Sequence, residues 1–422
     1  MIKMNIKKQL KEGLNEMFRI WIQELHIVRK DIGILIFFIL LPLSYPLVYA
    51  FIYTNEVVRE VPVALVDHSS STLSREYVRK VDATPDVHIV THCADMEEAK
   101  KAMEEKKVHG IIYIPRDFSK TIHRGEQVNV SVYCDMSGLL YYKAIVLANT
   151  LVSLEMNNNI KITRANKTTT EEEQLTASPI TYVDVSLFNS TAGFASFLIP
   201  AVLILIIQQS LTLGVGLSAG TMRERFKFIE LEEFKKKHRG IFRIVFGKGL
   251  CYFMIYALIS VFVLCVVPQL FKLNQIAHSS TLFLFILPFL LSCIFFAMTV
   301  SILVRNRESS MIVFVFTSIP LLFISGISWP GASISPVWKA VSFLFPSTFG
   351  INGFVKINNM GALLNEVAFE YKALWIQTII YFVTTCLVYN WYIIQSRKNC
   401  IKRYKEYKRR KALGLRPLKF PQ

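Results

Sequence analysis

Charged groups set among apolar ones are the first candidates for chemistry in this chain. In Arg223-Glu224-Arg225-Phe226-Lys227-Phe228-Ile229-Glu230-Leu231, Phe228 and Leu231 fall near helical spacing, with Phe234 just beyond and charges between. A short amphipathic helix of this kind lies along a membrane surface. There it either presents Glu224 and Arg225 to the groove of a cytoplasmic partner or holds lipid headgroups, and the residues alone leave both readings open. Arg223, Glu224, Arg225, Phe228 and Glu230 are therefore the candidate coupling residues. A second stretch is unusual in backbone rather than charge. Ser325, Gly326, Trp329, Pro330, Pro336, Trp338, Pro346 and Gly350 crowd a segment flanked by apolar runs. Such backbone meets lipid only if it is buried in protein or lines a wet cavity. It forms either a re-entrant hairpin over a substrate path or a loop with two interfacial tryptophans.

Catalytic signals are weak. No Gly-x-x-x-x-Gly-Lys-Ser/Thr occurs, and Gly247-Lys248-Gly249 has neither the spacing nor the hydroxyl of a phosphate-cradling loop. The chain is accordingly read as a non-enzyme with no cofactor of its own, any Mg-ATP belonging to a partner chain. His68, His88, His92, His109 and His123 lack a metal-ligand pattern, so no metal is assigned. Cys93 and Cys134 are placed where a disulfide could form outside the cytoplasm, with no spacing rule to require it.

These residues are positioned by membrane-length apolar runs. The chain has 422 residues and is 52% hydrophobic with positive mean hydropathy, too apolar for a soluble protein of this length. About 20 apolar residues cross a bilayer. One such run stands alone, 32–53; a polar stretch follows; then come 192–217, 249–271, 281–304, 309–329 and 372–394. A signal peptide is the alternative for the first, but 30 residues of both charge signs precede it. Pro42 and Pro46 are expected to kink it. The net charge of +17 is concentrated beside these runs: 7 Lys/Arg precede Asp31, 9 lie in 218–248 and 11 follow Gln395. This is the positive-inside pattern of a protein facing anionic lipid, and it excludes a nucleic-acid footprint. Both termini and the 218–248 loop are placed in the cytoplasm, with 54–190 outside. Segment 1–31 is read as a cytoplasmic amphipathic segment, 330–371 as outer or re-entrant and 395–422 as a basic cytoplasmic tail.

The inserted segment alternates strands and helices. Val61–Val66, Val87–Val90, Gly110–Ile114 and Val128–Tyr133 read as strands. Ser71–Lys80, Met96–Lys106 with Asp95 as cap, Asp117–Arg124 and an amphipathic Leu139–Asn157 read as helices, and Lys167–Thr176 as a loop. The fold class is thus a polytopic α-helical membrane protein of about six transmembrane helices with an inserted mixed α/β extracytoplasmic domain.

The chain resembles the permeases of ABC-2 type transporters. A valine-rich strand ending in Asp (Val61–Asp67), an acidic helix (Met96–Glu105) and Gly110–Ile114 running into Pro115-Arg116-Asp117-Phe118 are similar to that family's extracytoplasmic domain. Leu187-Phe188-Asn189 with Phe197 and Pro200 is similar to its entry into the second span, and Ser325 to Gly350 to its signature before the last. Arg223-Glu224-Arg225 and Gly247-Lys248 match its cytoplasmic loop, whereas Phe226 to Arg239 departs from it.

The resemblance implies the membrane subunit of a drug- or lipophile-efflux-like exporter in a bacterial plasma (inner) membrane. It implies a cytoplasmic ABC ATPase subunit carrying Mg-ATP, a second permease copy or paralogue as homo- or heterodimer, and a periplasmic adaptor as a further partner. Membrane lipids, and no nucleic acid, complete the partners. Two other classes compete: an ion-gradient-driven secondary exporter and a non-transporting scaffold. Carriers driven by ions place ionisable side chains inside their spans. The expected span interiors lack them, leaving Gln208 and Gln209 as the main polar residues and the candidates for a substrate path.

Overall fold

A computed structural model describes residues 6–165, 172, 175, 185, 187–189, 193–224, 240–301, 304 and 307–412. It divides into two compact units, Asn55–Ser186 and the remainder, Met1–Thr54 with Leu187–Gln422.

The smaller unit is a four-stranded sheet with helices on both faces. Its strands are β1 (Val61–Asp67), β2 (Val87–His92), β3 (Gly110–Ile114) and β4 (Ser131–Cys134), in spatial order β2-β1-β3-β4. β1 pairs parallel with β2 and β3, and β4 closes the edge antiparallel to β3. The crossovers need helices, and the sequence supplies them with caps. Ser71 and Ser74 form a reciprocal capping box on α3 (Thr72–Asp82). Asp95 accepts from the Glu98 N–H at 2.9 Å to start α4 (Met96–Glu104). A short α5 (Phe118–Arg124) and a long α6 (Leu139–Ala165) follow. α6 covers one sheet face with Ile145, Ala148 and Val152, packed beside Val63, Leu65 and Ile112. Tyr77 fixes this contact by donating to Asn149 Oδ1 at 3.0 Å. Cys93 and Cys134 are both free thiols. Cys93 packs with Val66 and Ile111, and Cys134 belongs to the separate cluster around Ile112, so the sheet keeps them from pairing.

The larger unit is helical. An N-terminal α1 (Ile6–Lys30) precedes α2 (Ile32–Ile52). Then come α7 (Phe194–Glu224), α8 (Ile241–Leu270), α9 (Ser279–Val300), α10 (Arg307–Ile324), α11 (Pro336–Ser342), α12 (Pro346–Met360) and α13 (Ala368–Ala412). Among the described residues, seven helices are long and apolar enough to cross a membrane. Six correspond to the expected runs. The seventh is Leu139–Arg164, in α6, which packs one side on the sheet unit's core and leaves Leu147, Leu151 and Leu154 exposed. α7 is the hub, with 94% of its most apolar window buried inside the chain, against 11% for α10 at the periphery.

The expected distortion of the first span is a π-turn. In α2 and in α8 a five-residue π-turn stands just before a proline: Ile36–Leu40 before Pro42, and Phe262–Val266 before Pro268. Proline lacks an N–H and crowds the carbonyl four residues back, and a wider turn relieves that clash. The Leu264 carbonyl, four residues before Pro268, accepts instead from Gln275 Nε2 at 2.9 Å.

Candidate functional site

Two polar constructions stand inside the helical unit, one at the bend between α11 and α12 and one around α1. The two helices of the first are bent by 90° at Phe343–Phe345, the geometry of a broken span or a re-entrant loop. Proline sits in the first turn of each, where its missing N–H costs nothing. At the bend, backbone groups leave the helical ladder, and each finds a side chain. Thr348 Oγ1 donates to the Ser342 carbonyl at 2.7 Å. Gln377 Nε2 donates to the Phe343 carbonyl at 2.7 Å, and the Tyr381 hydroxyl donates to that of Leu344. Gln208 Oε1 accepts the Ser347 N–H at 2.5 Å. Irregular backbone survives away from water only when it is satisfied in this way. α12 then packs tightly into the bundle. A Cβ on Gly350 would lie 2.5 Å from a Phe289 ring carbon, and one on Gly353 would lie 2.3 Å from Phe285.

The second construction ties α1 to α7 and α8, the helices on either side of residues 225–239. Glu24 interrupts the buried stripe of α1 between Ile20 and Val28 and is itself only 1% exposed. Its Oε2 lies 2.9 Å from Lys248 Nζ, in α8. Its Oε1 accepts from Ser218 Oγ of α7 at 2.9 Å and from the Tyr252 hydroxyl. Burial pushes the Glu24 carboxyl up, but Lys248, Tyr252 and Ser218 outweigh it and hold the group below the usual carboxylate value. Gly247 lets the two helices approach, since a Cβ there would lie 3.0 Å from the Met17 carbonyl oxygen. Two further ion pairs extend the contact. Glu16 meets Arg243 at 2.6 Å, and Asp31, the cap of α2, meets Arg307 of α10 at 2.7 Å. Thr221 of α7 also donates to Asp31, at 3.3 Å.

The sequence candidates fare unequally. Arg223 is held within the chain: it donates to the Val304 carbonyl and, at 3.2 Å, to that of Ser301, and lies 4.4 Å over the Tyr392 ring. Its role here is to join α7 to the end of α9 and to α13. Glu224 is the last residue of α7, and Arg225, Phe228 and Glu230 lie outside the described residues. Gln208 is buried as a cap for α12, and Gln209 pairs with Thr317 of α10 at 3.3 Å. The signature residues are spread along the segment. Ser325 is buried at the end of α10 and Gly326 takes a positive φ of 87°. Trp329 and Trp338 are exposed, and Pro330 precedes a single 3-10 turn. Pro336, Pro346 and Gly350 shape α11 and α12. The expected start of the third span is corrected: α8 begins at Ile241, eight residues before the apolar run, and so includes Lys248 near its first turns, where the buried Glu24 pairs with it. Sequence reasoning missed Glu24, Tyr252, Gln377 and Tyr381. For Glu24 the signal was present, a lone acid on an apolar helical stripe. Among the described residues no group of His, Cys, Asp and Glu is arranged to hold a metal ion.

Comparison with known proteins agrees with this architecture. The sequence model of a family described as "ABC-2 family transporter protein" matches residues 32–387. The linearmycin resistance permease protein LnrN of Bacillus subtilis (strain 168) is 30% identical over 67 residues. That stretch is 16% of this chain and 17% of the relative's own length.

Proposed function

The chain belongs to the ABC-2 transporter family, and from that premise we propose that it is the permease subunit of an ATP-driven exporter. In this reading a separate cytoplasmic ABC ATPase binds and hydrolyses Mg-ATP. The permease pairs with a second copy or a paralogue and moves an amphipathic or lipophilic molecule outward. A permease named for linearmycin resistance supports the export direction. The observation that carries the coupling step is the grip of α1 on both helices that flank residues 225–239, through Ser218 of α7 on one side and Arg243, Lys248 and Tyr252 of α8 on the other, with Thr221 of α7 held by Asp31 at the start of α2. A push on residues 225–239 would reach α7 and α8 together with α1, not one helix alone. The α11–α12 hairpin would cap the outer end of the path.

The reading that an ion gradient drives transport draws on Lys248 and Glu24. That pair lies about 10 Å from the start of a 30-residue helix, at ~1.5 Å per residue, far from its middle. It also joins a helix too polar to be a candidate span. A structural clamp describes it better.

From the basic flanks we infer that both termini and 218–248 face the cytoplasm of a bacterial plasma membrane and that 54–190 lies outside. Single cysteines at positions 100 and 236, in a background without native cysteines, test this in intact cells. An impermeant thiol reagent is expected to label position 100 only; labelling of position 236 alone would invert the topology.

Coupling is tested at the end of α7. Glu224→Ala with Arg225→Ala is expected to leave membrane levels normal, since surface substitutions typically change stability by about 0.5 kcal/mol or less and the amphipathic pattern of 223–231 predicts a surface position for both. Loss of a partner contact at a hot spot costs about 2 kcal/mol or more of binding. Co-purification of the cognate ATPase and its stimulation by the permease should fall together. Unchanged stimulation would return this segment to a helix that holds lipid headgroups.

A further inference from the structure

α8 and α9 leave an open-sided groove of about 440 Å³ between them, within the roughly 300–1,000 Å³ usual for ligand sites. Gln269 and Gln275 line one end, Phe253 and Leu290 the other, with Leu282 in the wall. Along α8, Phe253 to Gln269 covers about 24 Å at ~1.5 Å per residue. Between these ends Ser260 lines the groove. It is 3% exposed, and its hydroxyl has no hydrogen-bond partner. Buried hydroxyls are normally paired; Ser292 of α9, two residues past the groove's Leu290, meets Gln377. A buried hydroxyl left unpaired on a residue that lines a groove marks a place where a ligand's acceptor supplies the missing partner.

The chemistry of that ligand follows from the order of groups. Hydrocarbon alone would leave Ser260 unpaired, and a polar solute would gain nothing from Phe253 and Leu290. A molecule that is apolar at one end, carries an oxygen acceptor partway along and is polar at the other fits all three. Both walls are membrane-length helices, so the surrounding bilayer offers such molecules at high concentration. We propose that this groove binds one glycerolipid of the bilayer. An acyl chain lies against Phe253 and Leu290, an ester carbonyl accepts the Ser260 hydroxyl, and the headgroup faces Gln269 and Gln275. The lipid is a resident of the fold, and its binding is independent of whether the chain exports anything.

Photo-crosslinking tests this on the full chain reconstituted in phosphatidylethanolamine–phosphatidylglycerol vesicles. The probe is phosphatidylglycerol carrying a diazirine in one acyl chain and an alkyne tag. After irradiation, crosslinked peptides are quantified by mass spectrometry. Labelling is expected to concentrate on 253–269 and 279–290, above that of Phe316 on the exposed face of α10. Ser260→Ala should lower groove labelling about threefold, as expected for one lost hydrogen bond, and leave Phe316 labelling unchanged. Ala257→Trp, which fills the groove, should remove it. Groove labelling no stronger than at Phe316, or unchanged in Ser260→Ala, would overturn the proposal and leave only annular lipid. Ser260→Ala removes one unpaired hydroxyl and should insert normally, so the test stands even if Ala257→Trp does not.

Discussion

Lys248→Met is expected to destabilise the chain by about 3–5 kcal/mol, a large share of the roughly 5–15 kcal/mol that holds a typical domain folded. The lysine is 2% exposed and faces a carboxylate that is 1% exposed. Removing it leaves Glu24 charged, with only hydroxyl partners. The loss lies in the orphaned charge more than in the attraction that the pair supplied, since two buried ions recover little beyond their own desolvation. The double variant Glu24→Gln with Lys248→Met should therefore be much more stable than Lys248→Met alone. Thermal unfolding of the detergent-solubilised protein checks both. An unchanged midpoint in the single variant would mean that α1 is not seated on α8. A double variant as damaged as the single would mean that the side chains matter by shape and not by charge.

Gly350→Leu should cost about 1–3 kcal/mol and displace α12 from the bundle. Even the Cβ would press on Phe289, which is fully buried, and on Ile204 at 3.2 Å. Neither neighbour is the free end of a flexible chain. Close helix contacts in membranes rely on such small residues. Because the bend is held by Gln208, Gln377 and Tyr381, a shift of α12 would also break those bonds. Transport should then fall by more than protein level does. Phe289→Leu added to Gly350→Ala tests the cause: recovery of thermal stability relative to Gly350→Ala identifies the ring clash, and no recovery would refute it.

Much of this architecture was legible in the residues. The strand Gly110–Ile114 and the cap Asp95 could be read directly, since apolar β-branched runs and capping acids act locally. The crowding of Pro, Gly and Trp over Ser325–Gly350 was visible too, but it left a re-entrant hairpin and a plain loop both open. What could not be read was which distant groups close the ladder at the bend between α11 and α12. Gln377 and Tyr381 lie in α13, more than thirty residues along the chain, and their pairing is a product of packing alone. Gln208 looked like a lining residue because a lone amide in an apolar run serves a path or a cap equally well. Leu139–Ala165 is apolar enough to count as a span although its burial is against a sheet, a distinction that hydropathy does not contain. Lys248 fell outside the expected span because a charge ends an apolar run, while the acid that allows its burial is 224 residues earlier.

The measurement closest to the central claim is ATP-dependent transport in vesicles reconstituted with the chain and its cognate ATPase. A fluorescent amphipathic dye, moved from the ATPase side to the other, is the readout. The account predicts movement only when both chains and Mg-ATP are present, and no ATP turnover by this chain alone. Movement by this chain alone under an imposed ion gradient, unaffected by the ATPase or by ATP, would contradict it.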